Sequence, residues 1–334
     1  MDSERIDLMP APPLAEASVA ASAAATRVAG NVASGLHENG TGACCAACAE
    51  RSAAQSEGFV YVIGRLETRF PSLGIEREFQ HRQAQLPESL GPGLGQGERV
   101  RRVLAANRHL LPRMGYVFMV TGFPAYVVAP TSAYLRDDLL EAVAHAGDPD
   151  RWCVLIGRLG PVAAPSVCAG VLAPMVACDQ LLVFSVDGWL ESLEERLARV
   201  LNERRIDRQV LDTTAQELFG QVVQSTENVG ATDSHRALNY VLMQHPGLVL
   251  AAAERSGRQS LDRIETRSIH GLGSRRLVTV VITFVDRATG VAERLFCRVD
   301  VTEEWPFIAD GRNGTRCALA LAPFIENELL GVAY

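Results

Sequence analysis

In the stretch CRVDVTEEWPF, Cys297 to Phe307, the residues Asp300, Glu303 and Glu304 place three carboxylates within five positions. Carboxylates this close can hold a metal ion. They can also divide into a general acid and a general base when their surroundings push their proton affinities apart. Equally, they can form the polar edge of a structural hairpin. Asp300 is the carboxylate to test first as a catalytic residue. A second candidate, His235, lies in TDSHRALNY beside Asp233 and Ser234. Adjacent helical residues point about 100° apart, so these three make no triad with one another. His235 and Asn239 are four apart and share a helix face, and a hydrogen-bonded structural pair is the simpler expectation for them.

The sharpest metal-type motif is CCAAC, with Cys44, Cys45 and Cys48. A C-x2-C pair sets two thiolates at the separation that structural zinc requires, so zinc on these cysteines is the expected cofactor if there is one. The second half of a zinc site must come from elsewhere. His37 is near, whereas Cys153, Cys168, Cys178 and Cys297 are distant in sequence. No βαβ pattern surrounds the motif to suggest a thioredoxin-type role. Cys168, Cys178 and Cys297 stand in apolar company and read as small buried hydrophobes, with a metal site on Cys168 and Cys178 as the alternative. GPGLGQG is glycine-rich but has neither the Lys-Ser/Thr of a phosphate loop nor a dinucleotide fingerprint. Arg65, Arg69, Arg275 and Arg276 suit an acidic partner or, more simply, structural ion pairs.

The elements that must position these groups come from a chain of 334 residues, 48% hydrophobic, with a formal net charge of −7. That is enough for one large or two moderate cores. No basic run with interleaved aromatics occurs, so nucleic acid is not an expected partner. The acidic opening MDSERIDLMP does not read as a secretory signal, and the uncharged run 160–178 is interrupted by Pro161, Pro165 and Pro174. A cytoplasmic protein without a membrane span is the expectation, and in that compartment cysteines stay reduced.

Residues 1–57, rich in Ala, Ser and Gly and without aromatics, predict a flexible tail. Beyond it, apolar runs predict strands at Phe59–Ile63, Trp152–Ile156 and Leu181–Val186, and GYVFMVTGFPAYVVAP predicts a hairpin turning around Gly122-Phe123-Pro124. Helical periodicity predicts helices over Glu76–Gln83 and Ser132–Ala146, and another after Asp187 along Leu190, Leu193, Leu197 and Leu201. A fourth is predicted from a Thr214–Glu217 capping box to Val223. A fifth, capped by Asp233, should stop before Pro246. Glu88–Glu98 reads as a loop. The plainest strand signal is Arg276–Val285 and Val291–Val301 around the turn DRATG, a half-buried antiparallel hairpin with Asp300 on the polar face or edge. Strands and helices do not alternate strictly, which predicts an α+β fold. The expected division is 58–210 and 211–334, with the hairpin 276–301 in the second part.

Four stretches in this order carry a resemblance. They are YVIGRLETRFPSLGIEREF (61–79), PSVCAGVLAPMVACDQLLVFSVD (165–187), ATDSHRALNYV (231–241) and GSRRLVTVVITFVDRATGVAERLFCRVDVTEEWPF (273–307). Together they resemble the C-terminal domain of unknown function of the PatA/PatG-type cyanobactin maturation proteases. The segment IADGRNGTRCALALAPF departs from that pattern. The D-[ST]-G, H-G-T-H and G-T-S-x-A signatures of the subtilisin-like domain are also missing, and the chain has only IHGLGS around His270. The resemblance therefore implies association with ribosomal-peptide maturation and does not imply proteolysis. On it, the expected function is a non-catalytic accessory module binding a precursor peptide or the maturation protease. The alternative is a peptide-modifying or metal-dependent enzyme of the same pathway.

Overall fold

The structure, a computed structural model, describes residues 58–86, 95–224, 227–269, 274–309 and 321–324. The expected tail 1–57, with Cys44, Cys45 and Cys48, lies outside the described residues, as does His270. What is described is α+β, as the sequence predicts.

The first elements are β1 (Phe59–Arg69), α1 (Leu73–Ala84), α2 (Gln96–Ala106), β2 (Gly115–Val120), β3 (Phe123–Pro130), α3 (Leu135–Ala144), β4 (Arg151–Val162) and β5 (Pro174–Ser185). The five strands close a barrel in the order β1-β2-β3-β5-β4, with β3 parallel to β5 and the other neighbours antiparallel. With a helix between β3 and β4, this is the connectivity of the OB-type Greek-key barrel. In that architecture the strand 2–3 face and the 1–2 and 4–5 loops take oligonucleotides and oligosaccharides.

Closure depends on β1 serving two partners. Phe59–Gly64 pairs with β4 and Arg65–Arg69 pairs with β2. Gly64 stands at the switch. A Cβ there would lie 2.3 Å from the Met119 carbonyl and 2.6 Å from the Phe118 ring, so only glycine admits the crossing strand. The β2–β3 turn is two residues, Thr121 and Gly122, at φ 49° and 83°. Positive φ at both positions is what a tight type I′ hairpin requires. Phe123 and Pro124 therefore begin β3 rather than forming the turn. Val60, Val62, Tyr116, Phe118, Tyr126, Val128 and Leu155 fill the barrel, and Phe79, Leu104 and Leu139 from the helices pack on the same core.

The remaining elements are α4 (Val186–Arg204), α5 (Arg208–Val223), α6 (Asp233–Gln244), α7 (Pro246–Arg255), β6 (Gln259–Ile269), β7 (Leu277–Asp286), β8 (Ala292–Asp300), β9 (Phe307–Ile308) and β10 (Ala322–Pro323). The sheet runs β10-β8-β7-β6, with β9 added on β8. The helices lie between two β surfaces. Tyr61, Ile63, Val154 and Ile156 point out of the barrel into the same core as Val278, Val280, Ile282 and Val299 of the sheet.

Several local expectations need correction. Ser185, not Asp187, caps α4, its Oγ accepting from the Gly188 N–H at 3.0 Å. α5 starts under Asp207, so Thr214 is buried in the helix interior and no capping box forms there. Thr232 rather than Asp233 caps α6. In each case the cap falls on an extended residue with a short polar side chain upstream. Asp187 and Asp233 are left in the first turn, where the helix dipole favours a negative charge. The hairpin is deeper than half-buried, because Leu277–Phe284 is buried at every position.

The seam between barrel and helices runs through 228–231. Tyr61 N–H donates to Gly230 carbonyl at 3.0 Å, and Tyr126 hydroxyl donates to Val229 carbonyl at 2.7 Å. Asn239 donates to Tyr61 carbonyl at 2.9 Å and exchanges amide hydrogen bonds with Asn228. Gly230 has φ 73°, and a Cβ there would lie 2.4 Å from the Val62 Cβ. Gly122 has φ 83° but nothing within 4 Å of such a Cβ. Both substitutions to alanine incur left-handed strain, but only Gly230→Ala adds a clash. In urea titrations Gly122→Ala should cost about 1 kcal/mol and Gly230→Ala about 2–4 kcal/mol. Equal losses would show that the seam gives way freely.

Candidate functional site

The acidic stretch after β8 is organised by a residue that the sequence motifs do not single out. Arg236, on α6, is 1% exposed. Its Nη1 donates to the Val301 carbonyl at 2.8 Å, and its Nη2 donates to the Glu304 carbonyl at 3.0 Å and to the Glu303 carbonyl. The Phe59 ring lies 5.2 Å from the guanidinium, and Asp233 stands 3.7 Å away. Burial lowers the Arg236 pKa to about 10, against the opposing pull of Asp233, so the group stays charged. A signal for it exists in the sequence. Arg236 occupies one helical row with Tyr240 and Met243, an apolar stripe that has no place for a solvated charge.

The three carboxylates then separate. Asp300 is 2% exposed, not on a polar face. One oxygen accepts from Arg275 Nε at 2.7 Å and the other from the Thr302 N–H at 2.9 Å. Burial works to raise its pKa, but the hydrogen bonds from Thr302 and the ion pair with Arg275 bring it below the usual carboxylate range. Glu303 is exposed and contributes its backbone carbonyl to Arg236. Glu304 meets Asp179 in the middle of β5, where the pairing with β4 shifts register. Burial, first, and then a shared hydrogen bond with the Asp179 carboxyl raise the Glu304 pKa, while Arg158 and Arg236 pull it the other way. Asp179 Oδ2 and Glu304 Oε1 are buried and make no other hydrogen bond, with Arg158 Nε 3.6 Å from Oδ2, and Asp179 Oδ1 accepts from Thr131 hydroxyl at 2.8 Å. Two carboxyl groups holding one proton explain both observations.

His235 is half-buried, its Nδ1 makes no hydrogen bond, and burial lowers its pKa. The expected pair with Asn239 is not made, because that amide serves Tyr61 and Asn228. Asp300 is held instead by Arg275 and Thr302, so the two candidate catalytic residues are not brought together as a pair. Cys168 and Cys178 are buried in separate hydrophobic clusters. Among the described residues no group of three His, Cys, Asp or Glu side chains is placed to hold a metal ion. The four arginines are committed within the chain. Arg65 donates to the Pro149 carbonyl and lies over Trp152, Arg69 pairs with Glu67, Arg275 with Asp300, and Arg276 with Asp233. Among the described residues no helix is long and apolar enough to cross a membrane.

A surface of different character lies on the outside of the barrel. Val117, Met119, Val127 and Met175 alternate out of β2, β3 and β5, and the 163–173 loop packs on them through Ala163, Cys168 and Ala173. The loop turns at Ala169 and Gly170, with φ of 51° and 85°. Leu172 of this loop is 70% exposed and Val167 is also exposed, as are Val162 just before it and, at the start of β3, Phe123 at 72%.

The carboxyl pair gives a pH test with a definite sign. The folded state binds the Glu304 proton more tightly than the unfolded chain does. The stability from that proton is therefore complete below the ordinary glutamate range and is lost as pH rises through the raised folded value. Glu304→Gln keeps a donor for Asp179 without the titration. Its unfolding midpoint should fall less than that of the wild type between pH 5 and pH 8 (about the range to scan). Parallel profiles for the two proteins would remove the shared proton.

Comparison with known proteins meets this geometry from outside. Residues 205–312 match the family model described as PatG C-terminal. A solved structure titled "PatG Domain of Unknown Function" is similar with a TM-score of 0.59 at 17% identity, covering 77% of this chain and 98% of that one. At that identity the likeness is one of fold. None of the curated proteins compared matches the chain. The matched residues include Arg236, Asp300 and Glu304 and the strands of the hairpin, so it is this segment that is similar to the PatG C-terminal family.

Proposed function

We propose that this chain is a non-catalytic binding module of ribosomal-peptide maturation, and that it takes an extended apolar segment of a precursor peptide on the β2–β3 face of the barrel. The observation that carries the reading is the barrel connectivity combined with an apolar outer surface at that face. OB-type barrels that bind single-stranded nucleic acid set basic grooves and stacking aromatics there. Here Met119 and Met175 are half-buried beside Val117 and Val127, which the 163–173 loop already covers, and the chain carries a net charge of −7, which favours a peptide. Phe123 at the start of β3 and Leu172 on the covering loop are exposed apolar side chains available to such a segment. The pathway itself rests on the family resemblance.

A pull-down with the immobilised full chain tests this. A precursor peptide encoded beside the gene should be retained, and the double variant Phe123→Ser, Leu172→Ser should retain it several-fold less. No retention, or capture only of a maturation protease by both proteins, would overturn the peptide reading. If the peptide returns with an altered mass and Asp300→Asn abolishes the change, the domain is an enzyme.

Structural zinc on Cys44, Cys45 and Cys48 belongs to the same proposal, on the spacing of the motif alone. Metal analysis of the purified chain should find about one zinc per molecule, lost when the three cysteines become serine. A wild-type chain without stoichiometric zinc removes the site.

A further inference from the structure

Within the segment 205–312, a cleft of about 130 Å³ opens between α5, α7, β6 and β7. That is room for about four water molecules, the size of one small residue. Leu218, Leu261 and Phe284 supply apolar lining, while Glu217 and Arg287 line it as exposed charged groups. Gln259 lines it as well, and its side chain is fixed from behind. Arg255 grips Glu293 with Nη2 at 2.7 Å and Nε at 3.3 Å, and Glu293 Oε2 accepts from Gln259 Nε2 at 3.0 Å. An ionised carboxylate only accepts, so the nitrogen of the Gln259 amide must face Glu293 and the oxygen must face away from it. That oxygen, Oε1, has no partner and almost no surface open to the cleft, so the lining beside it must shift for a donor to reach it. A buried acceptor left without a donor is destabilising, and a ligand N–H would relieve it. The Arg255–Glu293–Gln259 chain is a preset acceptor beside an apolar wall, with a cation at the mouth.

We propose that this cleft binds a single α-amino acid unit with a free carboxylate, either a peptide's C-terminal residue or a free amino acid. Its N–H donates to Gln259 Oε1, its carboxylate meets Arg287, and its apolar side chain lies against Leu218, Leu261 and Phe284. A peptide's amide N–H and a free ammonium both satisfy the acceptor, with Glu217 adding attraction for the ammonium. The cleft uses no barrel residue, so this inference stands or falls independently of the β2–β3 face.

The test is calorimetric titration of the full chain with valine, N-acetyl-alanyl-valine and the C-terminal amide of that dipeptide. At least one of the two free acids should bind saturably, and the amide should bind at least tenfold more weakly than its acid. Binding of the dipeptide identifies a peptide end, whereas binding of valine alone identifies a free amino acid. Arg287→Ala, on an exposed side chain, should bring the acid down to the level of the amide. Gln259→Leu should weaken both acids at least tenfold, and a folded control spectrum separates this from unfolding. No saturable binding of either acid overturns the proposal. So does equal binding of acid and amide that Arg287→Ala leaves unchanged.

Discussion

A buried guanidinium organises the centre of the molecule. Arg236 stays charged inside the fold, and a charge so placed must be supplied with acceptors or it unfolds its surroundings. The acceptors are backbone carbonyls of Val301, Glu303 and Glu304, the turn that leaves β8. The chain is bent there so that its carbonyls converge on one cation. The bend sets the positions of the next side chains. Trp305 is brought edge-on to Tyr61 at 6.0 Å, and Glu304 is brought to Asp179. Tyr61 belongs to β1 and Asp179 to β5, so an arginine on a helix fixes the segment after the hairpin against the barrel.

The second constraint is a close approach of backbones. Tyr61 lies on the outward side of β1, and its own N–H and carbonyl are both used by the helical layer, through Gly230 and Asn239. β2 pairs with β1 only from Arg65 onward, so at Tyr61 the edge left free opposite β4 is taken up by the helical layer. The reciprocal Asn228–Asn239 amides leave little of either side chain unsatisfied, although Asn228 and Asn239 are only 6% and 1% exposed. Buried polar groups arranged this way tolerate one docking position and penalise its neighbours, because a shift strands donors that nothing else can serve. The apolar surfaces supply most of the attraction between barrel and helices, and the amide seam sets their register.

The sequence displays those parts of the fold whose causes are local. The hairpin 276–301 is legible because β-branched residues and a turn signal coincide, and α6 stops where Pro246 forbids continuation. Pro246 also opens α7, where its missing N–H costs nothing, and no pattern upstream announces that second helix. β6 escapes a sequence reading because QSLDRIETRSI carries charges at most of its outward positions. Those same charges discourage an edge strand from pairing with another chain. The start of α2 reads as loop because the glycines of GPGLGQG dominate the composition there. Barrel closure is illegible, since it depends on which strands meet far apart in the chain. Gly64 is conspicuous only once Met119 and Phe118 are known to lie against it.

The same division between local and distant causes governs the acidic stretch. Three carboxylates within five residues have one composition and three electrostatic fates. Asp300 is ionised because Arg275 and the Thr302 N–H reach it from its own end of the hairpin. Glu303 stays with solvent while its carbonyl serves Arg236. Glu304 holds its proton more tightly than a free glutamate because burial, and then Asp179 presented by another strand, favour the neutral form. A catalytic pair of carboxylates also needs unlike proton affinities, and Asp300 and Glu304 have them. What distinguishes a working pair is that both groups face one substrate position. Here the oxygens of Asp300 are engaged by Arg275 and Thr302, and Glu304 is engaged by Asp179. Unlike affinities in this segment are thus the consequence of holding a turn around a buried arginine.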